Sequence, residues 1–528
     1  MAPLLSSTRL LPLFVVVLVS LGLRSCYGFQ TVGFTMHHRY SDPVKGILGI
    51  HDLPARGSRE YYVAMSHRDR LVRGRGLAGV DPTALTFSAG NDTLRIASLG
   101  YLHYANVSVG TPPVWFLVAL DTGSDLFWLP CNCTKLNCVH ALGTPKGQIL
   151  KLNIYDPHAS STSKHVPCNS TICMHKKQCS SSNSSCAYQV RYLTENTSST
   201  GVLVEDVLHL VTDDDQTKQM DAHINFGCGR VQTGSFLTGA APNGLFGLGI
   251  ENISVPSILA KEGLTSNSFS MCFGNDGSGR IRFGDNGSSD QRKTPFNHLG
   301  ALHPSYNISI TQIIVGEKAT NSEFNAIFDT GTSFTNLNDP AYTNITSSFN
   351  SMVKGKRYQF DPRIEMPFEY CYENTTSNQT SPEFPSLNLK MKGGDDYYVI
   401  HPLVYVVFEG MKTSSTVICL GIIKSDDVNI IGQNFMTGYH IVFDRDNMIL
   451  GWKNSSCYDD KISNAAYSPT HSPAHSPAHS PAVSPAKPEA MINQSETSRP
   501  QMPNHSFKDK PFVVTFLLLI LSPVFATF

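Results

Sequence analysis

An all-β chain of two pseudo-symmetric lobes is what this sequence predicts, and three observations predict it. From Tyr101 to Cys457, short runs rich in branched and aromatic residues alternate with Gly, Pro and Asn. Examples are YANVSVGTPP (104–113), RIRFGDNG (280–287), YNISITQIIVG (306–316) and YHIVFDRDNMILGW (439–452). Such runs read as strands bounded by turns. Helical patterns are few, the clearest being VPSILAKEGL (255–264) and PAYTNITSSFNSMV (340–353). Finally, one arrangement occurs twice: an apolar run ending in Asp121-Thr-Gly-Ser, then another ending in Asp329-Thr-Gly-Thr. Each is followed downstream by two apolar residues and a glycine, Leu245-Phe246-Gly247 and Ile430-Ile431-Gly432. A duplicated strand and turn in one chain predicts a duplicated lobe.

Size and composition support this and exclude other classes. With 528 residues the chain is too long for one small domain. Lys plus Arg (41) nearly cancels Asp plus Glu (42), so there is no basic field to attract nucleic acid. A charged share of 16% beside a hydrophobic share of 41% argues against bulk disorder. There is no P-loop, paired-glycine dinucleotide fingerprint, His-Glu-x-x-His or Gly-x-Ser-x-Gly, and no cofactor is expected.

The two ends read as processing signals. Residues 1–28 carry Arg9, an apolar run from Leu10 to Leu23, and small residues before a cleavage point after Gly28, as in a signal peptide. Residues 29–95 are expected to be a propeptide, locally basic around HHRYSDP and SHRDRLVRGRGL and free of cysteine. The N-terminal lobe is placed at 96–295 and the C-terminal lobe at 296–457. Residues 458–506 form a stalk of Ser, Pro, Ala and His, too extended to gather its histidines round a metal. Residues 507–528 form an apolar tail interrupted by Pro523, with no basic flank after it. With a leader, such a tail reads as a GPI-attachment signal; a tail-anchored helix is the competing reading. The expected location is therefore the secretory pathway and the outer face of the plasma membrane, or the wall space if the protein is shed.

A lone Asp-Thr-Gly is a commonplace β-turn. Two copies, each behind an apolar strand and before a hydroxyl, point to chemistry. Two close carboxylates cannot both ionise cheaply, so they share a proton and can act as acid and base at once. Gly123 and Gly331 permit the tight turn. Ser124 and Thr332 can hydrogen-bond the outer oxygen of the neighbouring aspartate. The candidate catalytic pair is Asp121 and Asp329, supported by Thr122, Gly123, Ser124, Thr330, Gly331 and Thr332. No metal is expected.

The motifs VALDTGSDLFWLPC, NGLFGLG, AIFDTGTSFT and NIIGQNFMTGYHIVFD resemble the pepsin-type (A1) aspartic proteases, in their plant nepenthesin- and nucellin-like branch. The resemblance covers Tyr101 to Cys457, and the leader and tail match the layout of GPI-anchored members. It implies a bilobal acid-protease fold with the cleft between lobes, a secreted endopeptidase acting on protein or peptide substrates at acid pH, and Thr122 paired with Thr330. It also implies a flap hairpin. In register, Tyr192 of Cys-Ala-Tyr-Gln-Val-Arg-Tyr192 is the flap tyrosine, with Trp128 as its hydrogen-bond partner. The family's Gly-Asp-Gly-Ser tip is missing here. Because such a chain carries both turns, it is expected to act as a monomer.

Cysteine usage fits an oxidising compartment. Subtracting Cys26 of the leader from the 13 cysteines leaves an even number. Seven lie between Cys131 and Cys186, without paired Cys-x-x-Cys knuckles, so disulfides are expected over zinc. Cys371 with Cys419 is the pair expected in the second lobe. Fifteen Asn-x-Ser/Thr sites predict a glycoprotein, with Asn106 and Asn307 in strand-like runs expected to be blocked. The alternative function is a catalytically inactive relative of the same fold that binds or inhibits another protein.

Overall fold

The computed structural model describes residues 31–39, 41, 42, 44, 46, 58–72, 86–89, 92–95 and most of 102–457. Within that last stretch it leaves out the loops 144–148, 175, 177–178, 193–196, 213–217, 276, 298–304, 361–365, 375–382, 410–413 and 427. The leader, stalk and tail, and Cys26, lie outside the described residues. All described residues fall in one compact unit, Met1–Asn464.

Strands dominate, as the alternating apolar pattern predicts. A 14-stranded sheet carries the first lobe and runs on through a central stack of antiparallel strands, while a 7-stranded sheet carries the second. The strands Val114–Asp121 and Lys318–Phe328 end at the two Asp-Thr-Gly turns. Both expected helices form, as Val255–Lys261 and Ala341–Met352.

The duplication is structural. Leu245, Phe246 and Gly247 pair in parallel with Ala119, Leu120 and Asp121. Ile430 and Ile431 pair in parallel with Ile327 and Phe328. The distant apolar pair thus clamps each aspartate strand from one side, and the backbone N–H groups of Leu248 and Asp329 close the contact onto Asp121 O (2.9 Å) and Ile431 O (3.2 Å). The glycines at the ends of these followers are required by close approach. A Cβ on Gly247 would stand 2.1 Å from Asp125 O, and one on Gly432 2.5 Å from the Phe334 carbonyl carbon. Both neighbours are backbone and cannot step aside. Gly432→Ala should therefore destabilise the second lobe by about 2–4 kcal/mol, within the range for severe core strain. A thermal melt of that variant checks it; a melt unchanged from the parent would refute the steric argument.

The halves are joined by the central stack. Ser268–Phe273 pairs with Tyr439–Asp444, and Phe269 stacks on Phe443 with ring centroids 4.7 Å apart. Arg445 donates to Ile250 O at 2.8 Å, and the Tyr306 hydroxyl to Leu248 O at 2.7 Å. These bonds cross between the two halves. Six disulfides use twelve cysteines, Cys371–Cys419 among them as expected. Of the two strand-borne glycosylation sequons, Asn106 is exposed, contrary to expectation, whereas the Asn307 side chain accepts a hydrogen bond from Asn297.

The segment expected as a propeptide is built into this body. Val32–His38 lies between Ser278–Phe283 and His103–Val109 in the large sheet, with Val32 and Met36 fully buried. Further on, Arg59–Val72 forms a helix that sequence periodicity did not reveal.

Candidate active site

Each Asp-Thr-Gly turn aims its carboxylate with the same two bonds. The Gly123 N–H donates to Asp121 Oδ1 at 2.9 Å, and Ser124 Oγ to Asp121 Oδ2 at 2.7 Å. The Gly331 N–H donates to Asp329 Oδ1 at 2.8 Å, and Thr332 Oγ1 to Asp329 Oδ2 at 2.5 Å. At both turns the glycine faces the inner oxygen: a Cβ on Gly123 would stand 3.2 Å from Asp121 Oδ1, and one on Gly331 3.0 Å from Asp329 Oδ1 and 3.6 Å from Asp121 Oδ1. Both inner oxygens thus flank one glycine, and a side chain there would intrude between the carboxylates. Beneath them Thr122 Oγ1 and Thr330 Oγ1 share a hydrogen bond of 3.1 Å, and the Thr330 N–H donates to Thr122 Oγ1 at 3.3 Å. The eight residues singled out at the two turns therefore come together as one cluster.

The electrostatics suit a shared proton. Burial is the main cause that pushes the Asp121 carboxyl up to about 6; Asp329 adds to the rise, while Ser124, the Gly123 N–H and Arg68 oppose it. Ser124→Ala removes the strongest opposing contact, so the Asp121 pKa should move above about 6. That is checked by the alkaline limb of the pH–activity profile, which should shift upward with little change on the acid side.

Trp128 and Tyr192 also meet. Trp128 Nε1 donates to the Tyr192 hydroxyl at 2.8 Å. Phe236 packs edge-on against both rings, with centroids 4.9 Å from Trp128 and 5.0 Å from Tyr192. Burial raises the Tyr192 hydroxyl well above its ordinary value, and the Asp121 charge adds to this. The flap tip, residues 193–196, lies outside the described residues.

Sequence reading missed the group that sits on the cluster. The Arg59–Val72 helix brings Arg68 and Asp69, 2% and 4% exposed, against the second turn. Arg68 Nη1 donates to the Gly331 carbonyl and, at 2.8 Å, to Asp69 Oδ1. Asp69 accepts the Ser333 N–H at 2.8 Å, the Ser333 hydroxyl at 2.7 Å and the Phe334 N–H at 3.3 Å. Tyr62, two turns earlier, packs on Phe334 and Phe368. The run SHRDRLVR read only as locally basic; nothing in its sequence marks which arginine reaches the turns.

Comparison with known proteins agrees with this geometry. Family models described as "Xylanase inhibitor N-terminal" and "Xylanase inhibitor C-terminal" match residues 103–285 and 305–454. The chain is 58% identical to Aspartyl protease family protein 1 of Arabidopsis thaliana, over 87% of this chain and 88% of that one. It is 37% identical to Aspartic proteinase-like protein 1 of the same plant, over 82% of each. Among solved structures, soybean basic 7S globulin aligns at 20% identity with a TM-score of 0.50, over 68% of this chain and 93% of that one. The protein titled edgp aligns at 18% identity with a TM-score of 0.52, over 67% and 91%. These structural likenesses speak for the fold alone. Sequence identity spread over nearly the whole length, on a β-rich body of pepsin-like fold, shows that the chain belongs to the pepsin-like aspartyl proteases of plants.

Proposed function

We propose that this protease is a secreted, cell-surface endopeptidase made in latent form, hydrolysing peptide bonds with water activated between Asp121 and Asp329. The observation that carries the reading is the matched aiming of two carboxylates with the pKa of one raised to about 6. One carboxylate takes a proton from water as it attacks the scissile carbonyl. The other, protonated, hydrogen-bonds the carbonyl oxygen as charge develops there, and a proton passes to the leaving amine. The proton belongs to the pair, and Ser124 and Thr332 hold its members in the geometry for exchange. Tyr192 and Trp128 close the cleft from the flap side and exclude water.

Latency is assigned to residues 29–95. The Arg68 guanidinium offsets negative charge at the pair, and the helix it rides on obstructs the approach to the second turn. Export by residues 1–28, a stalk at 458–506 and GPI attachment through 507–528 complete the reading, with the enzyme acting as a monomer at the outer face of the membrane. The competing reading, an inactive binding or inhibitor protein, draws on the matched family models' description; the complete set of turn residues weighs against it.

Acid digestion of casein between pH 3 and 7, with and without a pepstatin-type transition-state analogue, tests the reaction. Inhibitor-sensitive cleavage strongest at acid pH is expected. A folded, processed sample with no cleavage would favour the binding protein. Release from plant-cell membranes by a phosphatidylinositol-specific phospholipase tests the anchor.

A further inference from the structure

One tryptophan stands apart from the other two. Trp128 and Trp452 are 0% and 1% exposed, whereas Trp115 is 39% exposed. Trp115 lies in the strand Val114–Asp121, which pairs antiparallel with His103–Val109. Ser108 is directly opposite Trp115, and Asn106 is opposite Leu117. Residues facing across an antiparallel pair share a face, as do residues two apart along a strand. Asn106, Ser108 and Trp115 therefore lie on one face of the large sheet. Asn106 and Trp115 are diagonal neighbours there, about 7–8 Å apart, within reach of an aromatic side chain. Asn106 is exposed and Ser108 half-buried. Leu117 is buried in a cluster with Leu142 and Leu152, and Asn106 and Trp115 stay outside that cover. Asn106-Val-Ser108 is also an acceptor sequence for N-glycosylation. A pyranose ring presents a face of C–H hydrogens. The indole face carries the negative side of the ring quadrupole, so the two attract while both remove apolar surface from water.

We propose that Asn106 carries an N-linked glycan whose first N-acetylglucosamine lies on the Trp115 indole. The inference rests on the export reading above, since the sugar donor is met in the secretory pathway. In the transfer, Asn106 Nδ2 forms a bond to the anomeric carbon of a lipid-pyrophosphate-linked oligosaccharide. The bond from that carbon to the pyrophosphate oxygen breaks, the lipid pyrophosphate leaves, and Nδ2 gives up one proton. Ser108 supplies the hydroxyl of the acceptor sequence before folding sets it opposite Trp115. The folded sheet then holds sugar and indole together, and the glycan covers the one tryptophan that the fold leaves open.

The test uses the full-length protein made in plant cells. Its chymotryptic peptides are stripped by a peptide N-glycosidase active on plant glycans, in heavy-oxygen water, which marks each occupied asparagine as aspartate. The peptide from Ala105 to Trp115 should carry the mark. Iodide quenching of fluorescence reads the indole, because Trp115 is the exposed one of three tryptophans. Quenching should be nearly lost in wild type and return in Asn106→Gln and in Ser108→Ala, which remove the glycan by different routes. Each variant should melt about 2 °C below wild type. Combining Asn106→Gln with Trp115→Ala should lower the melt by less than the two changes summed. An unmarked Asn106 beside marked Asn132, Asn169 or Asn286, which are exposed acceptors outside the strands, overturns the inference and leaves export standing. A marked Asn106 with quenching equal in wild type and both variants overturns the contact with Trp115. No marked asparagine anywhere in the chain overturns both the inference and the export reading.

Discussion

Asp121→Asn should abolish acid proteolysis and, in the same protein, raise stability at neutral pH. The loss of activity follows from removing one member of the pair that shares the proton, and should reach at least about a thousandfold. The gain in stability follows from linkage. Asp121 is 9% exposed, and its carboxyl is raised from 3.8 to about 6 by burial above all. A group raised in this way favours the folded state fully below its unfolded value, near pH 4. That contribution is lost as pH rises through about 6, because the buried carboxylate must then ionise. Above pH 6 the wild type carries a penalty of about 3 kcal/mol relative to acid conditions. Asparagine copies the neutral carboxyl and carries none of it. Thermal melts of the two proteins should coincide near pH 4 and separate at pH 7, the variant melting higher by several degrees. A variant that is inactive but melts lower at both pH values would mean that Asp121 is needed for the fold, and its inactivity would then say nothing about chemistry.

The second large effect concerns the helix on the turns. Arg68 and Asp69 are buried together, and between them they engage the carbonyl of Gly331 and the N–H groups of Ser333 and Phe334. Removing one partner of a buried ion pair leaves the other uncompensated and typically costs about 3–5 kcal/mol. Arg68→Ala should therefore weaken docking of the helix by at least about a hundredfold. In full-length protein this should show as cleavage activity at pH 6, where wild type is expected to be latent. Asp69→Ala should act in the same direction by unseating Ser333 and Phe334. The double variant should lose less than the sum, since either change already breaks the pair. Unchanged latency in Arg68→Ala would locate inhibition elsewhere along residues 29–95.

Much of the site was legible because its residues are local to short motifs. Asp121, Ser124, Asp329 and Thr332 lie within four-residue turns, so their mutual bonds follow from the turn itself. The apolar-apolar-glycine signal at Leu245 and again at Ile430 marked the two segments as equivalent, and only the fold shows that both pair in parallel with the aspartate strands. Trp128 and Tyr192 could be matched only through family register, since 64 residues separate them. What stayed hidden depends on contacts with no periodic or local signature. Arg68 and Asp69 bond partners more than 260 residues away, from a helix whose apolar face is short. Phe236, Phe334 and Phe368 carry no local signal that sets them apart, and only the fold brings Phe236 against Trp128 and Phe334 against Phe368. Val32–His38 is the sharpest case. A basic, cysteine-free stretch with no strand signal of its own becomes core of the sheet through Val32 and Met36.

The central claim is that peptide hydrolysis depends on two carboxylates acting as one unit. Its most direct test is kcat/KM of acid-activated wild type and Asp329→Asn on a single peptide, measured from pH 3 to 8. Wild type should decline as pH rises through about 6, where the pair loses its shared proton, and Asp329→Asn should stay at least about a thousandfold lower at every pH while retaining a cooperative melt. Activity of Asp329→Asn within tenfold of wild type, or a wild-type rate that persists undiminished to pH 8, would contradict the account.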